Sequence, residues 1–110
     1  MGKEFLIGIG MDDIENEIII HKIRYIRSDR NYCEIHLQGG EMRLLRSPIY
    51  RLEQQLAGKG FFRIHKSYLV NQCWIDKVAD GRVICGKDIL PVAVRKKTEF
   101  RQWYQRLSLK

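Results

Sequence analysis

The sequence predicts a mainly β domain of short, largely antiparallel strands carrying two helices. Three observations predict it. β-branched and aromatic residues gather in short runs, several with period-two alternation. Turn-forming groups recur between those runs: Gly39-Gly40, Lys66-Ser67, Asp80-Gly81 and Gly86-Lys87-Asp88. Only two stretches, one after Ser47-Pro48 and one from Phe100 to Leu107, place apolar residues at helical spacing. Connections this short make neighbouring strands antiparallel, because a parallel crossover needs a longer link.

Taken in order, Phe5 to Ile9 is an apolar run bounded by glycines, an edge strand or a tether. Asp12-Asp13 and Glu15-Asn16-Glu17 form an acidic, turn-like segment. Ile18 to Ile20 and Ile23 to Ile26 are strands with a polar interruption at His21-Lys22. Ser28-Asp29-Arg30-Asn31 is a loop by composition. Tyr32 to Leu37 then alternates, with Cys33, Ile35 and Leu37 on one face and Tyr32, Glu34 and His36 on the other, as a half-buried strand does. Gly39-Gly40 is a tight hairpin turn into Glu41 to Leu45.

Ser47 suits a helix cap and Pro48 the first helical position. Ile49, Leu52 and Leu56 follow at helical spacing until Gly58. In the next stretch Phe62 and Ile64 fall on one face of an extended chain, Arg63 and His65 on the other. Lys66-Ser67 interrupts them, and Tyr68-Leu69-Val70 resumes until Asn71. This is strand, exposed turn, strand, and a turn anchored by two buried strands holds Lys66 and Ser67 out toward a ligand. Trp74 to Val78, Arg82 to Cys85 and Ile89 to Val94 are further strands. Phe100, Trp103, Tyr104 and Leu107 line one helix face. Such a stripe packs on its own domain more often than on a partner.

The length of 110 residues suits one domain with one modest core, and 45% hydrophobic residues argue against disorder. Twenty Lys and Arg against 13 acidic residues give a formal net charge of +7. That excess favours a polyanionic partner. Cys33, Cys73 and Cys85 are an odd, scattered set without Cys-x-x-Cys, so reduced thiols in a cytoplasmic protein are expected rather than disulfides or a zinc ribbon. No run reaches the ~20 apolar residues that span a bilayer. The start lacks the long apolar core of a signal peptide.

His21, His36 and His65 lie on separate segments without metal-ligand spacing, and no cofactor is expected. Cys33 sits on an apolar face, where burial keeps a thiol inert. No Gly-rich phosphate loop is present, and the chain reads as a non-enzyme. Three basic-polar loops remain: Ser28 to Asn31, His65 to Ser67, and Arg95 to Lys97. Arg matches guanine edges and Asn adenine edges, while Lys and Ser hold phosphates.

The string Phe61-x-Arg63-Ile64-His65-Lys66-Ser67-x-x-Val70-Asn71 resembles the hallmark of the LytTR DNA-binding domain of bacterial response regulators. Ile23-Arg24-Tyr25-Ile26-Arg27-Ser28 with Asn31-Tyr32 resembles that family's first DNA-facing loop and its flanking strands. Leu90 to Lys97 resembles its closing strand and last basic loop. The chain departs at Ala93, where the family often has Ser, with one residue fewer before its Arg. The resemblance covers about residues 17–97 of a single domain over 1–110, with 98–110 as a C-terminal amphipathic helix.

The resemblance implies an elongated arrangement of small antiparallel sheets with one short helix. It also implies sequence-specific binding of double-stranded DNA in two-component transcription regulation, with loops inserted into the major groove. Asn31, Lys66 and Arg95 would contact bases; Arg30, His65, Ser67 and Lys96 would sit on the backbone. Family regulators usually bind direct repeats, so two copies would act together, under a receiver domain or another regulatory partner. The alternative from another class is a small β-rich protein-interaction module with a basic face.

Overall fold

The computed structural model describes residues 4–11 and 15–108. The chain runs β1 (Phe5–Ile9), β2 (Glu15–Ile19), β3 (Ile23–Asp29), β4 (Tyr32–Leu37), β5 (Met42–Leu45), α1 (Ile49–Gln55), β6 (Phe61–His65), β7 (Tyr68–Asn71), β8 (Lys77–Ala79), β9 (Arg82–Cys85), β10 (Asp88–Pro91) and α2 (Lys97–Ser108). Every strand pairing is antiparallel. A five-stranded sheet of order β5-β4-β3-β7-β6 is the centre, with a β1-β2 hairpin and a three-stranded sheet, β10-β9-β8, beside it. The mainly β, hairpin-built fold expected from the sequence is the one observed.

Both faces of the central sheet are covered, which produces two cores. On one face Ile26, Cys33, Ile35 and Leu69 pack with Leu6 and Ile18 of the β1-β2 hairpin and with Ile49, Leu52 and Leu56 around α1. On the other, Tyr25, Ile64 and Val70 pack with Val83, Cys85 and Leu90 of the small sheet and with Phe100 of α2. Gly8 lets β1 lie close over β5, since a Cβ there would sit 2.7 Å from a Leu45 methyl. The aromatic stripe of α2 folds home: the Phe62 ring lies 5.6 Å from Phe100 and 5.0 Å from Trp103.

A β-bulge at Arg24 explains how one strand serves both cores. Ile23 pairs with Leu37 and Tyr25 with His36, so Arg24 is the extra residue. Tyr25 thus turns to the second core, between Ile23 and Ile26 of the first. Arg24 donates to Asp88 at 2.9 Å and to the Cys85 carbonyl at 2.9 Å, which fastens the small sheet to the large one.

Several local expectations are corrected. The acidic segment at Glu15 to Glu17 is part of β2, paired with Ile7 to Ile9, because pairing with β1 overrides its weak strand propensity. Asp12 and Asp13 lie outside the described residues. Pro48 is itself the cap position of α1, at φ −70° and ψ 149°, and Ser47 donates to the Pro48 carbonyl rather than capping. No strand runs from Trp74: the Asn71 side chain accepts from the Cys73 N–H and bends Gln72–Trp74 into a 3-10 turn, so β8 begins only at Lys77. Finally, β10 stops at Pro91. The Val92 and Ala93 N–H groups donate to Gly81 and Ile64, and Val94–Lys96 forms a 3-10 turn running into α2.

Candidate nucleic-acid interface

The three basic loops sit at one end of the central sheet. β3 and β4 close through Arg30 and Asn31 alone, with Asp29 paired to Tyr32. Ser28 and Asp29, read from sequence as loop, belong to the strand. β6 and β7 close through Lys66 and Ser67, with His65 paired to Tyr68. β3 lies against β7, with Arg27 opposite Tyr68, so both hairpins open toward the same end. Strand spacing of about 4.8 Å puts the two tips roughly 10 Å apart across the sheet. The register carries the first tip about two residues, roughly 7 Å, further out. The Ser28 N–H donates to the Ser67 carbonyl at 2.8 Å and joins the hairpins directly.

The third loop is joined by a second bulge. Arg63 pairs with Leu69 and His65 with Tyr68, leaving Ile64 as the extra residue. Its freed carbonyl accepts from the Ala93 N–H at 2.8 Å, which sets the 94–96 turn beside the Lys66 turn. The same bulge corrects the alternation expected from sequence. Arg63 and His65 lie on opposite faces, since their partners Leu69 and Tyr68 pack into different cores, and the His65 ring meets Tyr68 at 5.8 Å.

Most of the hallmark string holds the turn rather than facing outward. Arg63 donates from Nε to the His65 carbonyl at 3.0 Å, from Nη2 to the Lys66 carbonyl at 2.5 Å, and from Nη1 to Glu53 of α1 at 2.8 Å. His65 Nδ1 accepts from the Ser67 N–H at 3.1 Å, which places its ring proton on Nε2 and leaves that atom a donor. Asn71 is buried with both ends satisfied: Nδ2 donates to the Ile23 carbonyl and Oδ1 accepts from Cys73. Arg63 and Asn71 brace the backbone of the loops, and residue type and spacing alone do not distinguish them from groups that touch a ligand.

What remains outward is small and cationic. Lys66 and Arg95 are exposed, and no described residue pairs with either side chain. They stand on the walls of one concavity of about 650 Å³, with Arg63 and His65 on the Lys66 side and Lys96 and Glu99 on the Arg95 side. Its two carboxylates are already engaged, Glu53 by Arg63 and Glu99 by Lys96 at 3.7 Å. Lys96 is therefore less available than Arg95, and it also lies 6.0 Å from the Phe62 ring. Arg30 and Asn31 are exposed at the first tip, where Arg30 adopts φ 59°, a left-handed backbone that costs a non-glycine residue about 1 kcal/mol or more. The Tyr32 hydroxyl braces this tip by donating to Asp29 at 3.0 Å.

Behind the tips the charges are locked. Arg27 donates twice to Glu34, at 3.0 and 2.7 Å, which lowers the Glu34 pKa and raises that of Arg27. Hydrogen bonding to Arg24 holds Asp88 below its ordinary range. Burial pushes the Cys33 and Cys85 thiols up to about 11, so neither is a thiolate near neutral pH. Among the described residues, no group of His, Cys, Asp or Glu is placed to hold a metal ion.

Comparison with known proteins identifies the family and agrees with the fold. The family model described as the LytTr DNA-binding domain matches residues 16–105. A solved LytTr DNA-binding domain from Bacillus cereus, from a protein assigned as a methyl-accepting/DNA response regulator, superposes with a TM-score of 0.75 at 17% identity. The match covers 93% of this chain and 97% of that one. None of the curated proteins compared is significantly similar.

Proposed function

This chain belongs to the LytTr DNA-binding domain family, and from that premise we propose that it reads a specific double-stranded sequence through its loops. The observation that carries the reading is the convergence of Lys66 and Arg95, both exposed and with no described residue paired to either side chain, on one concavity at the end of the sheet where the Arg30-Asn31 tip also lies. Tips roughly 10 Å apart match the scale of a major groove about 12 Å wide. Asn31, Lys66 and Arg95 face base edges, because each offers donors from an exposed turn. Arg30, His65 through Nε2, Ser67 and Lys96 sit on phosphates and fix the register.

In this reading the chain acts as one domain over 1–110, in the bacterial cytoplasm, and regulates transcription as part of a two-component system. Two copies occupy direct repeats, under a receiver domain or another regulatory partner. The test is selection of bound duplexes from a random DNA pool, followed by titration of the selected duplex and a scrambled one at several salt concentrations. A DNA reader enriches one sequence and loses affinity with a log–log salt slope of about −0.9 for each phosphate engaged. Absence of enrichment, or affinity independent of salt, would favour a protein-interaction module with a basic face.

A further inference from the structure

Val94 is 81% exposed, more than any other large hydrophobic residue described; the next, Ile89, is 59% exposed. A lone exposed apolar side chain on an ordinary surface needs no explanation. Val94 differs in where it stands and in how firmly it is held. It opens the 3-10 turn that carries Arg95 and Lys96, at the end of the molecule where the basic tips gather. Its backbone is fixed from both sides: the Ala93 N–H is bonded to Ile64, the Lys96 N–H donates to the Ala93 carbonyl at 2.8 Å, and Val92 and Phe100 are buried. Val is β-branched and stiff about χ1, so the isopropyl group is presented in nearly one orientation.

Its surroundings decide the kind of partner. Arg95 follows it directly, Lys96 and Lys97 come next, and Lys66 stands across the concavity. An apolar protein surface would have to desolvate this group of cations, which is costly. A polyanion with an apolar spot among its acceptors fits instead. In the DNA major groove that spot is the C5-methyl group of thymine.

We propose that Val94 reads a thymine by packing its methyl groups against the C5-methyl, next to the base pair that Arg95 contacts. The inference rests on the DNA-reading function proposed above. Arg95 supplies hydrogen bonds, while Val94 supplies shape and excludes water from the same step of the groove.

The probe is the duplex that the wild-type protein selects from a random pool, remade with deoxyuridine replacing each thymine singly. This removes one methyl group and leaves the hydrogen-bonding edge unchanged. Wild type is expected to lose about fourfold in affinity at one position, the worth of about one methyl group withdrawn from water. Val94→Ala, at an exposed site, should fold as wild type does and show no loss at that position while keeping its other base preferences. If wild type binds the selected duplex but no deoxyuridine matters, or if Val94→Ala stays equally sensitive, the inference fails and the proposed function stands. If no sequence is enriched at all, both fall.

Discussion

Arg63→Met separates holding the loop from touching DNA. Met keeps much of the aliphatic stem of Arg63 and removes the guanidinium. Three bonds go: two to the turn carbonyls of His65 and Lys66, and one to Glu53. The carbonyls sit at a turn and regain water, so each bond is worth about 1 kcal/mol rather than the upper value for a charged donor. The Glu53 side chain is 44% exposed, which discounts that pair to about 0.5 kcal/mol. The sum predicts a loss of about 2–3 kcal/mol, or a urea midpoint lower by roughly 1–2 M. Fixing a backbone residue costs about 1–2 kcal/mol. Freeing the Lys66 turn should therefore weaken DNA binding about tenfold, because the turn must be reordered on contact. The log-affinity against log-salt slope should not change, since no phosphate contact is removed. Wild-type stability would refute the stapling role. A slope flatter by about 0.9 would show instead that Arg63 sits on a phosphate.

Arg95→Lys should keep fold and charge yet lose discrimination at one base pair, because Lys lacks the planar fork; identical preferences at every position in single-base-pair duplex variants would remove Arg95 from the base readers. Arg30→Ala should flatten the salt slope by about 0.9, and Lys96→Ala by less, because Lys96 already shares its charge with Glu99. Glu34 and Asp88 are held by Arg27 and Arg24 with lowered pKa values. Their contribution is fully present above about pH 5 and disappears as pH falls through the folded values, so Glu34→Gln with Asp88→Asn should make urea midpoints less steeply pH-dependent below about pH 5. Replacing all three cysteines by Ala should cost stability at Cys33 and Cys85, which are buried, while leaving DNA preference unchanged by duplex titration.

Strand and helix positions were legible where a local pattern decided them, as in Tyr32 to Leu37 and in the Ile49, Leu52, Leu56 spacing. The bulges at Arg24 and Ile64 were not, because an extra residue is defined by the partner strand and leaves no local mark. From those bulges follow the face of His65 and the docking of the third loop. Asn71 ends β7, as its place in the pattern predicts, but its type alone does not show that its side chain also makes the turn that displaces the strand expected from Trp74. Val94 read as strand because its residue type favours strands, whereas the Ala93 and Val92 N–H groups bond elsewhere and turn it outward. Three loops could be picked out by composition, but which of their side chains are free required the pairings.

The links Ser28 N–H to Ser67 carbonyl and Ala93 N–H to Ile64 carbonyl are main-chain bonds. They set the distances between the tips without using any tip side chain. Residues 30, 31, 66, 94 and 95 can therefore be exchanged while the intervals between them persist. On the proposed reading, such a scaffold would change the letters it recognises over evolutionary time while the number of base pairs between them stayed fixed. A randomised library at those five positions should accordingly yield new target sequences with an unaltered footprint length.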